Sequence, residues 1–583
     1  MSAPDTVDVA IVGGGPVGLG AAIMLGALGV RTRLLERNAD TSFHPRGHVV
    51  NARSMEIFRT LGVEADIAAA SVPLERHQGV AFVTRLAGAE IGTLRYRGDP
   101  ALDAVEASHS PSVKRSCPQD VLEPILRRHA ERCACVGVRF GIEVIGIDQD
   151  ADGVMVRCRG ADGREDDVSA RYVIAADGAR SAVRRLLDVP MSGVGRMGHQ
   201  MGIHFEADLW PWIADRPYLL WWIYNAEAAG LFIALDGRYR WTFNFAYDPQ
   251  QAVPADFTEA RCIAMIRAAV GVADLDVRIR SVLPWRMQAR LAERFQIGRI
   301  FLAGDAAHPL PPTGGQGMNT GIADVHNLAW KLALVLRGVA PAALVQSYDT
   351  ERRLAAQTNV DQSVKNATSM ASSGLGGMLA NDRTLLAQIE SPAGAAARAR
   401  LADAIPAQRE HFDYPGQTFG YAYRSMAVVD DGSPPVSFSV HHYVPSARPG
   451  HRAPHTWLER DGHPVSTIDL SGGARFCLLA GVDGGPWCTA LARVASRAGV
   501  AADAYTVGSP GALVDRHDRW RSHYGIGSSG AVLLRPDGHV AWRAFALDAD
   551  PEQTLTSVLD RALCRAADAG AVQCLRAQGG SHG

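Results

Sequence analysis

Three stretches far apart in this 583-residue chain end an apolar run in glycine and acid. Gly13-Gly14-Gly15-Pro16-Val17-Gly18 follows the apolar run 7–12, and Glu36-Arg37 closes the strand-like stretch 31–36. Asp177-Gly178-Ala179-Arg180-Ser181 follows residues 172–176, and Gly304-Asp305 follows residues 299–303. Glycine beside an open helix start accepts phosphate, and a carboxylate at the end of a strand accepts sugar hydroxyls. The chemistry these residue types suit is the binding of a dinucleotide.

The positioning elements follow from the pattern. Residues 7–12 form a continuous apolar run bounded by glycine, as a buried parallel strand does. The Ala-rich stretch 19–29 suits a helix packed closely on a sheet, and 31–36 is a second strand. Gly13 allows the tight turn, Gly15 lets the main chain approach a pyrophosphate, and Gly18 permits close helix–strand contact. The helix start offers free N–H groups and a positive dipole end. Glu36 stands roughly 20 residues on, where it would accept the hydroxyls of an adenosine ribose. Runs 173–176 and 300–303 are further strands, and ligands of open α/β sheets sit at the carboxyl ends of strands. Pro309-Leu310-Pro311-Pro312-Thr313-Gly314-Gly315-Gln316-Gly317-Met318-Asn319 then forms a stiff loop feeding a helix over about 321–337, with Leu328, Leu332, Val335 and Leu336 at helical spacing.

Taken together, these motifs resemble those of the single-component FAD-dependent aromatic hydroxylases of the para-hydroxybenzoate and phenol hydroxylase type, over roughly residues 5–385. The resemblance implies FAD as cofactor, NADH or NADPH as reductant and O2 as co-substrate, with the oxygen passed to a phenol-type ring from a hydroperoxide at flavin C4a. It implies cofactor contacts from Gly13, Gly15, Pro16, Val17, Gly18, Glu36, Arg37, Arg46, Arg115, Gln119, Asp177, Gly304, Asp305, Pro312, Gly315, Gly317, Met318 and Asn319. Asp177 would lie near the pyrophosphate and Asp305 on the ribityl chain. The start of the helix after the loop could stabilise charge on a reduced flavin.

Because the cofactor carries the hard chemistry, no Ser-His-Asp set or carboxylate pair is expected, and none is evident. The protein must supply a dry pocket and a group that deprotonates or hydrogen-bonds a phenol. His48, His204 and Tyr224 are the candidates, with Pro312 in the loop expected beside the reacting oxygen. Baeyer-Villiger oxygenation of a polyketide-like substrate on the same scaffold stays open. A non-enzymatic binding protein on the same fold would have lost the phosphate glycines, which are intact here.

The expected fold class is α/β: a Rossmann-like FAD-binding domain with an inserted, mostly antiparallel β-sheet substrate domain and a C-terminal thioredoxin-like α/β domain. The FAD-binding domain would span 1–190 and 285–385, with an excursion near 75–110 joining the substrate sheet. The substrate sheet would span 191–284, where segments near 200–208, 218–224, 231–235 and 240–247 alternate in the strand manner. Its aromatic residues, Trp221, Trp222, Tyr224, Trp241, Phe243, Phe245 and Tyr247, can serve as sheet core or as substrate contacts, and Asn244 falls on a polar position. A connector over 386–425 would lead to a thioredoxin-like domain over 426–583 without CxxC, since Cys477 and Cys488 lie too far apart.

Bulk composition narrows the partners. A net charge of −2 with no long Lys/Arg run argues against nucleic acid. Apolar runs fall short of the roughly 20 residues of a membrane span, and the acidic start Met1-Ser2-Ala3-Pro4-Asp5 is no secretory signal. Nine scattered cysteines fit a reducing cytoplasm. The expected partner is a small aromatic molecule, with assembly as a homodimer or higher homo-oligomer left open.

Overall fold

In the computed structural model the described residues are 5–376, 383–508 and 513–565. They form two compact units. One comprises Met1–His326, Arg352–Tyr421 and Ser437–Val444, the other Asn327–Glu351, Ala422–Val436 and Pro445–Gly583. The helix Gly317–Leu336 thus gives its first ten residues to one unit and its last ten to the other.

The first unit holds two sheets. The strands Asp5–Val12, Thr32–Glu36, Glu165–Ala175 and Ile300–Leu302 lie side by side, each pair parallel. Val9 to Val12, Leu34 and Leu35, Val173 to Ala175 and Ile300 to Leu302 in them are apolar and buried, because helices cover a parallel sheet on both faces. The helix Pro16–Ala27 starts with proline at its first position, where the missing N–H removes no bond. It is buried on every side over Pro16 to Leu25, as expected of a helix without a polar face.

The second sheet has seven strands in the order Arg278–Ala292, Met191–Glu206, Arg240–Ala246, Gly230–Ala234, Leu220–Ile223, Gly79–Val83, Glu90–Arg95. All neighbours are antiparallel except Leu220–Ile223 with Gly79–Val83. Strand residues alternate between faces. One face sends Met201, Ile203, Phe205, Trp221, Phe232, Trp241, Phe243 and Phe245 into a core with helix Glu259–Val270. Truncating Phe243 to alanine would cost about 3–5 kcal/mol, the usual range for a buried phenylalanine. The opposite face is divided. Phe82, Trp222 and Tyr224 pack against Leu386, Ile389, Leu401, Ile405 and Phe412. Gln200, His204, Thr242 and Asn244 line the rest of it with polar groups.

The stretch expected as a connector therefore supplies a core. Its helices Arg383–Glu390 and Ala395–Ala404 close the aromatic half of the substrate sheet.

In the second unit, Arg475–Ala480 pairs in parallel with Ala501–Thr506 and antiparallel with Ala531–Leu534, which pairs with Val540–Ala544. Helices Gly485–Ala498 and Pro551–Ala562 accompany this thioredoxin-like sheet. Residues 566–583 of the expected C-terminal domain lie outside the described residues. Within this unit, Glu351 meets Lys331 at 2.8 Å and Arg535 at 2.6 Å, and Arg535 meets Asp537 at 2.5 Å. All four are essentially inaccessible to solvent. Two cations against two anions balance one another, the condition under which buried charge is tolerated. No described helix is long and apolar enough to cross a membrane.

Candidate active site

The parallel strands end on one side, and each end opens into residues that solvent reaches although their neighbours are buried. Gly15, Arg37, Arg46, Asp177, Asp305, Pro312, Gly315, Gly317 and Met318 are partly or fully exposed. An exposed rim above a buried sheet edge is a cleft, placed where such folds bind ligands.

The glycines divide their tasks in this geometry. Gly13 has φ +109°, and a Cβ on it would stand 2.4 Å from Ala176 O. A Cβ on Gly18 would stand 1.9 Å from Gly13 O, so only glycine lets the helix approach. Gly15 is different. A Cβ there would meet nothing nearer than Glu123 Oε1 at 3.9 Å, so this main chain borders open space. Pro16 and Val17 are buried in the first helical turn.

Glu36, expected on ribose hydroxyls, accepts the Gly14 N–H through Oε2 at 2.6 Å and the Asn38 N–H through Oε1 at 2.8 Å. It braces the glycine turn. Asp177 caps the helix Ala182–Leu186, its Oδ2 accepting from Ala182 N at 2.7 Å and Val183 N at 3.2 Å. Its Oδ1 is buried without a partner, an oxygen that a ligand can satisfy. Gln119 donates to Glu123 Oε1 at 2.5 Å and, through its main chain, to Gly47 O at 2.8 Å. Arg115 pairs with Val50 across the two-stranded ladder Val49–Val50 and Arg115–Ser116, its Nε buried and unpartnered.

At the third motif Gly304 takes φ +59°. Asp305 faces the cleft with no hydrogen bond among the described residues. Solvent reaches it, but protein surrounds it, and that desolvation raises its pKa despite His308 and Arg46 nearby. A Cβ on Gly317, the first residue of its helix, would lie 3.7 Å from Asp305 Oδ1. The turn is locked from behind by a residue the sequence reading did not single out. Asp324 accepts from Gly304 N at 3.0 Å and Arg352 Nε at 2.8 Å, with His308 Nε2 at 2.6 Å. Burial works to raise the Asp324 pKa, yet His308 and Arg352 outweigh it and hold it low.

Asn319, expected at the cofactor, has its side chain engaged. Nδ2 donates to Val49 O at 3.0 Å and Gly315 O at 2.7 Å, and Oδ1 accepts from Asn51 N at 2.9 Å and Ser54 Oγ at 2.8 Å. It fastens the glycine-rich loop to the segment after His48. Pro312 O accepts the Gly315 N–H at 2.9 Å, closing a turn in which Gly315 has φ +64°.

An open main chain at Gly15, two cations on the rim, an unpaired Asp305 and an unsatisfied Asp177 oxygen suit a dinucleotide with a pyrophosphate and a ribityl chain. The residues fit FAD.

Comparison with known proteins decides the family. The family model described as "FAD binding domain" matches residues 6–363, and that described as "Aromatic-ring hydroxylase, C-terminal" matches residues 446–566. The chain belongs to the FAD-dependent aromatic hydroxylases. The hydroxylase is 36% identical to the tetracenomycin B2 monooxygenase-dioxygenase of Streptomyces olivaceus over 96% of this chain and 99% of that protein. It is 36% identical to the 2,4-dichlorophenol 6-monooxygenase of Cupriavidus pinatubonensis, over 96% of each. Its structure is similar to that of the flavin-dependent monooxygenase PieE in complex with FAD and substrate, with TM-score 0.90, 34% identity, and 97% of this chain and 100% of that one covered. As in this family, the enzyme uses FAD, NAD(P)H and O2.

The three proposed catalytic side chains of the hydroxylase stand in separate surroundings. Tyr224 donates its hydroxyl to Leu375 O at 2.6 Å inside the aromatic core, and burial raises its pKa well above the ordinary value. That hydroxyl is committed to the main chain and is no acid or base for a substrate. His48 Nδ1 lies 3.0 Å from Ser116 Oγ, and burial, with Lys114 adding, lowers its pKa to about 4. His204 is buried on the polar face of the substrate sheet with neither ring nitrogen partnered, and burial lowers its pKa to about 4 as well. Both are neutral imidazoles near pH 7, able to donate or accept a hydrogen bond but too weakly basic to take a phenol's proton.

His44 was missed. Its Nδ1 lies 2.8 Å from Ser281 Oγ and its ring stands edge-on to His204, centroids 6.3 Å apart. A Cβ on Gly202 would find Asn244 Oδ1 at 3.2 Å, His44 Nε2 at 3.3 Å and Trp285 Nε1 at 3.7 Å. Gly202 thus lets three hydrogen-bonding groups crowd together where a side chain would not fit. Its faint sequence signal was His44 standing two residues before Arg46. A separate cleft is lined by Asn51, Gln316, Asn319, Asn359, Tyr421 and Phe438.

Proposed function

We propose that the enzyme hydroxylates a phenol-type aromatic substrate held between the cofactor cleft and the polar half of the seven-stranded sheet. The observation that carries this reading is the position of Arg46. It lies on the cleft rim, its N–H donates to His44 O at 2.9 Å, and its charge reaches both Asp305 and His44. One segment thus joins the strand ends that suit FAD to the hydrogen-bonding groups gathered at Gly202.

When bound, FAD supplies reduction by NAD(P)H and activation of O2. The protein's own residues bind and orient. Gly13 to Val17 hold the pyrophosphate against a helix start, and Asp305 takes the ribityl hydroxyls. Asp324 and Asn319 fix the two turns that face the flavin. His44, His204 and Asn244 orient substrate oxygens through neutral hydrogen bonds, while Phe82, Trp222 and Phe412 exclude water behind them. Exclusion of water favours oxygen transfer over release of peroxide. The names of the two relatives support an aromatic substrate in ring degradation or in natural-product tailoring.

The test is NADH and NADPH oxidation by purified yellow enzyme under air with a panel of phenols and polyphenolic quinones. Stimulated oxidation with little peroxide and a product one oxygen heavier, its new hydroxyl located by NMR, is the expected result. Flavin-bound enzyme that no aromatic compound stimulates would overturn the substrate class.

A further inference from the structure

We propose that Lys114 is the anion-holding residue of the substrate cavity and selects ring compounds that carry an ionised oxygen or carboxylate. The proposal rests on the hydroxylase reading above and names the feature of the substrate that this cavity recognises.

Lys114 precedes the strand Arg115–Ser116, which pairs with Val49–Val50 directly after His48. Its position is therefore tied to the Arg46-Gly47-His48 segment, where Cys117 N donates to His48 O at 2.7 Å. The Lys114 ammonium lies 3.9 Å above the Tyr96 ring and 5.4 Å from the Tyr414 ring. It makes one hydrogen bond among the described residues, to Phe412 O at 3.0 Å. An ammonium has three donors, so two remain. The residue as a whole is partly exposed.

The surrounding charges leave an excess of positive sign. Arg97 is neutralised by Glu106 at 2.6 Å, and Asp413 is taken by Arg409 and His441, each at 3.3 Å. Neither Lys114 nor Arg115 has an ion pair among the described residues. Burial, with Arg97 adding, lowers the Lys114 pKa to about 8 against the opposing pull of Asp413 and Glu106.

A second observation points to a ligand. His77 is 1% exposed, and neither of its ring nitrogens has a partner. Its ring stands edge-on to Tyr96, centroids 5.9 Å apart. An imidazole with two unsatisfied nitrogens costs free energy unless something occupies the space beside it. Aromatic walls from Tyr96 and Tyr414, a cation with free donors and a neutral imidazole together suit a flat ring bearing one negative oxygen.

The test uses the FAD-loaded enzyme and the change of its flavin absorbance on titration. The probes are 2,4-dichlorophenol against 2,4-dichloroanisole, and 2,4-dichlorobenzoate against its methyl ester. Wild type should bind the ionisable member of at least one pair about tenfold tighter, the contribution of a charge-assisted hydrogen bond. The pair that shows the preference tells phenolate from carboxylate. Lys114→Met and Lys114→Gln should bring that ratio to about one, and Lys114→Arg should keep most of it. Neutral variants that hold flavin and discriminate as wild type does would overturn the assignment, as would a wild type that binds each pair equally. A wild-type flavoprotein whose spectrum no aromatic compound moves would instead overturn the hydroxylase reading and the subsite with it.

Discussion

Asp324, in the second turn of its helix, accepts the N–H of Gly304 at 3.0 Å and so holds the turn that aims Asp305 at the cleft. The same carboxylate takes Arg352 and lies 2.6 Å from His308, all of them buried. Asp324→Asn keeps the shape but loses the charge shared by these donors. FAD affinity, measured by reconstituting stripped apoprotein, should fall about tenfold, near the value of one charge-assisted bond. Unchanged affinity would remove Asp324 from cofactor positioning.

Gly15 and Gly18 should fail in different ways. A side chain at Gly15 enters open space, whereas one at Gly18 strikes Gly13 O. Gly15→Val should therefore give a folded, colourless protein, because the valine occupies the approach of the pyrophosphate. Gly18→Val should lower yield and thermal midpoint before any question of flavin arises. Circular dichroism and the flavin-to-protein absorbance ratio separate the two, and a yellow, stoichiometric Gly15→Val protein would refute the site.

Acid should destabilise the fold earlier than carboxylate titration alone would. Burial lowers His44, His48 and His204 to about 4 and His411 to about 3, against an ordinary 6.5. Between those values the unfolded chain binds protons that the folded chain refuses, so stability rises with pH there. Their contribution is complete above about 6.5 and is lost as pH falls toward 4. The thermal midpoint of FAD-loaded enzyme should drop steeply over that window. A flat midpoint between pH 6.5 and about 5 would show that these imidazoles are solvated.

The thioredoxin-like sheet should be redox-silent. Burial raises the thiols of both Cys477 and Cys488, away from the reactive thiolate form. Cys488→Ser should leave turnover within about twofold of wild type, well inside the effect of a surface change. Abolished turnover, with flavin still bound, would restore a catalytic part to this domain.

The cofactor cleft was legible because its determinants are local. The glycines of residues 13–18 act on neighbours within the same turn, and a continuous apolar run such as 7–12 signals a buried strand whatever packs on it. The helix after the loop begins at Gly317 and not near 321, since its first turn is fastened by the long-range bonds of Asn319 and not by apolar spacing. Tyr224 carries a hydroxyl of the kind a phenol could use, yet its face of the sheet is divided, and the half it occupies is closed by residues 386–412. The hydrogen-bonding cluster at Gly202 depends on His44 and Ser281, 237 residues apart, a meeting that no local pattern records.

The second compact unit includes Asn327–Glu351 as well as the stretch from Pro445 onward. Glu351 supplies half of the negative charge opposite Arg535, and Lys331 comes from the same early segment. The C-terminal module is therefore not a cassette that recombination can lift out at residue 445 and attach elsewhere. A transplant beginning there would arrive without helix and acid, leaving Arg535 half-compensated in an incomplete interior. Lineages that carry this tail are bound to inherit it with the flavin domain, and changes at positions 327–351 and 535–537 should be fixed together or not at all.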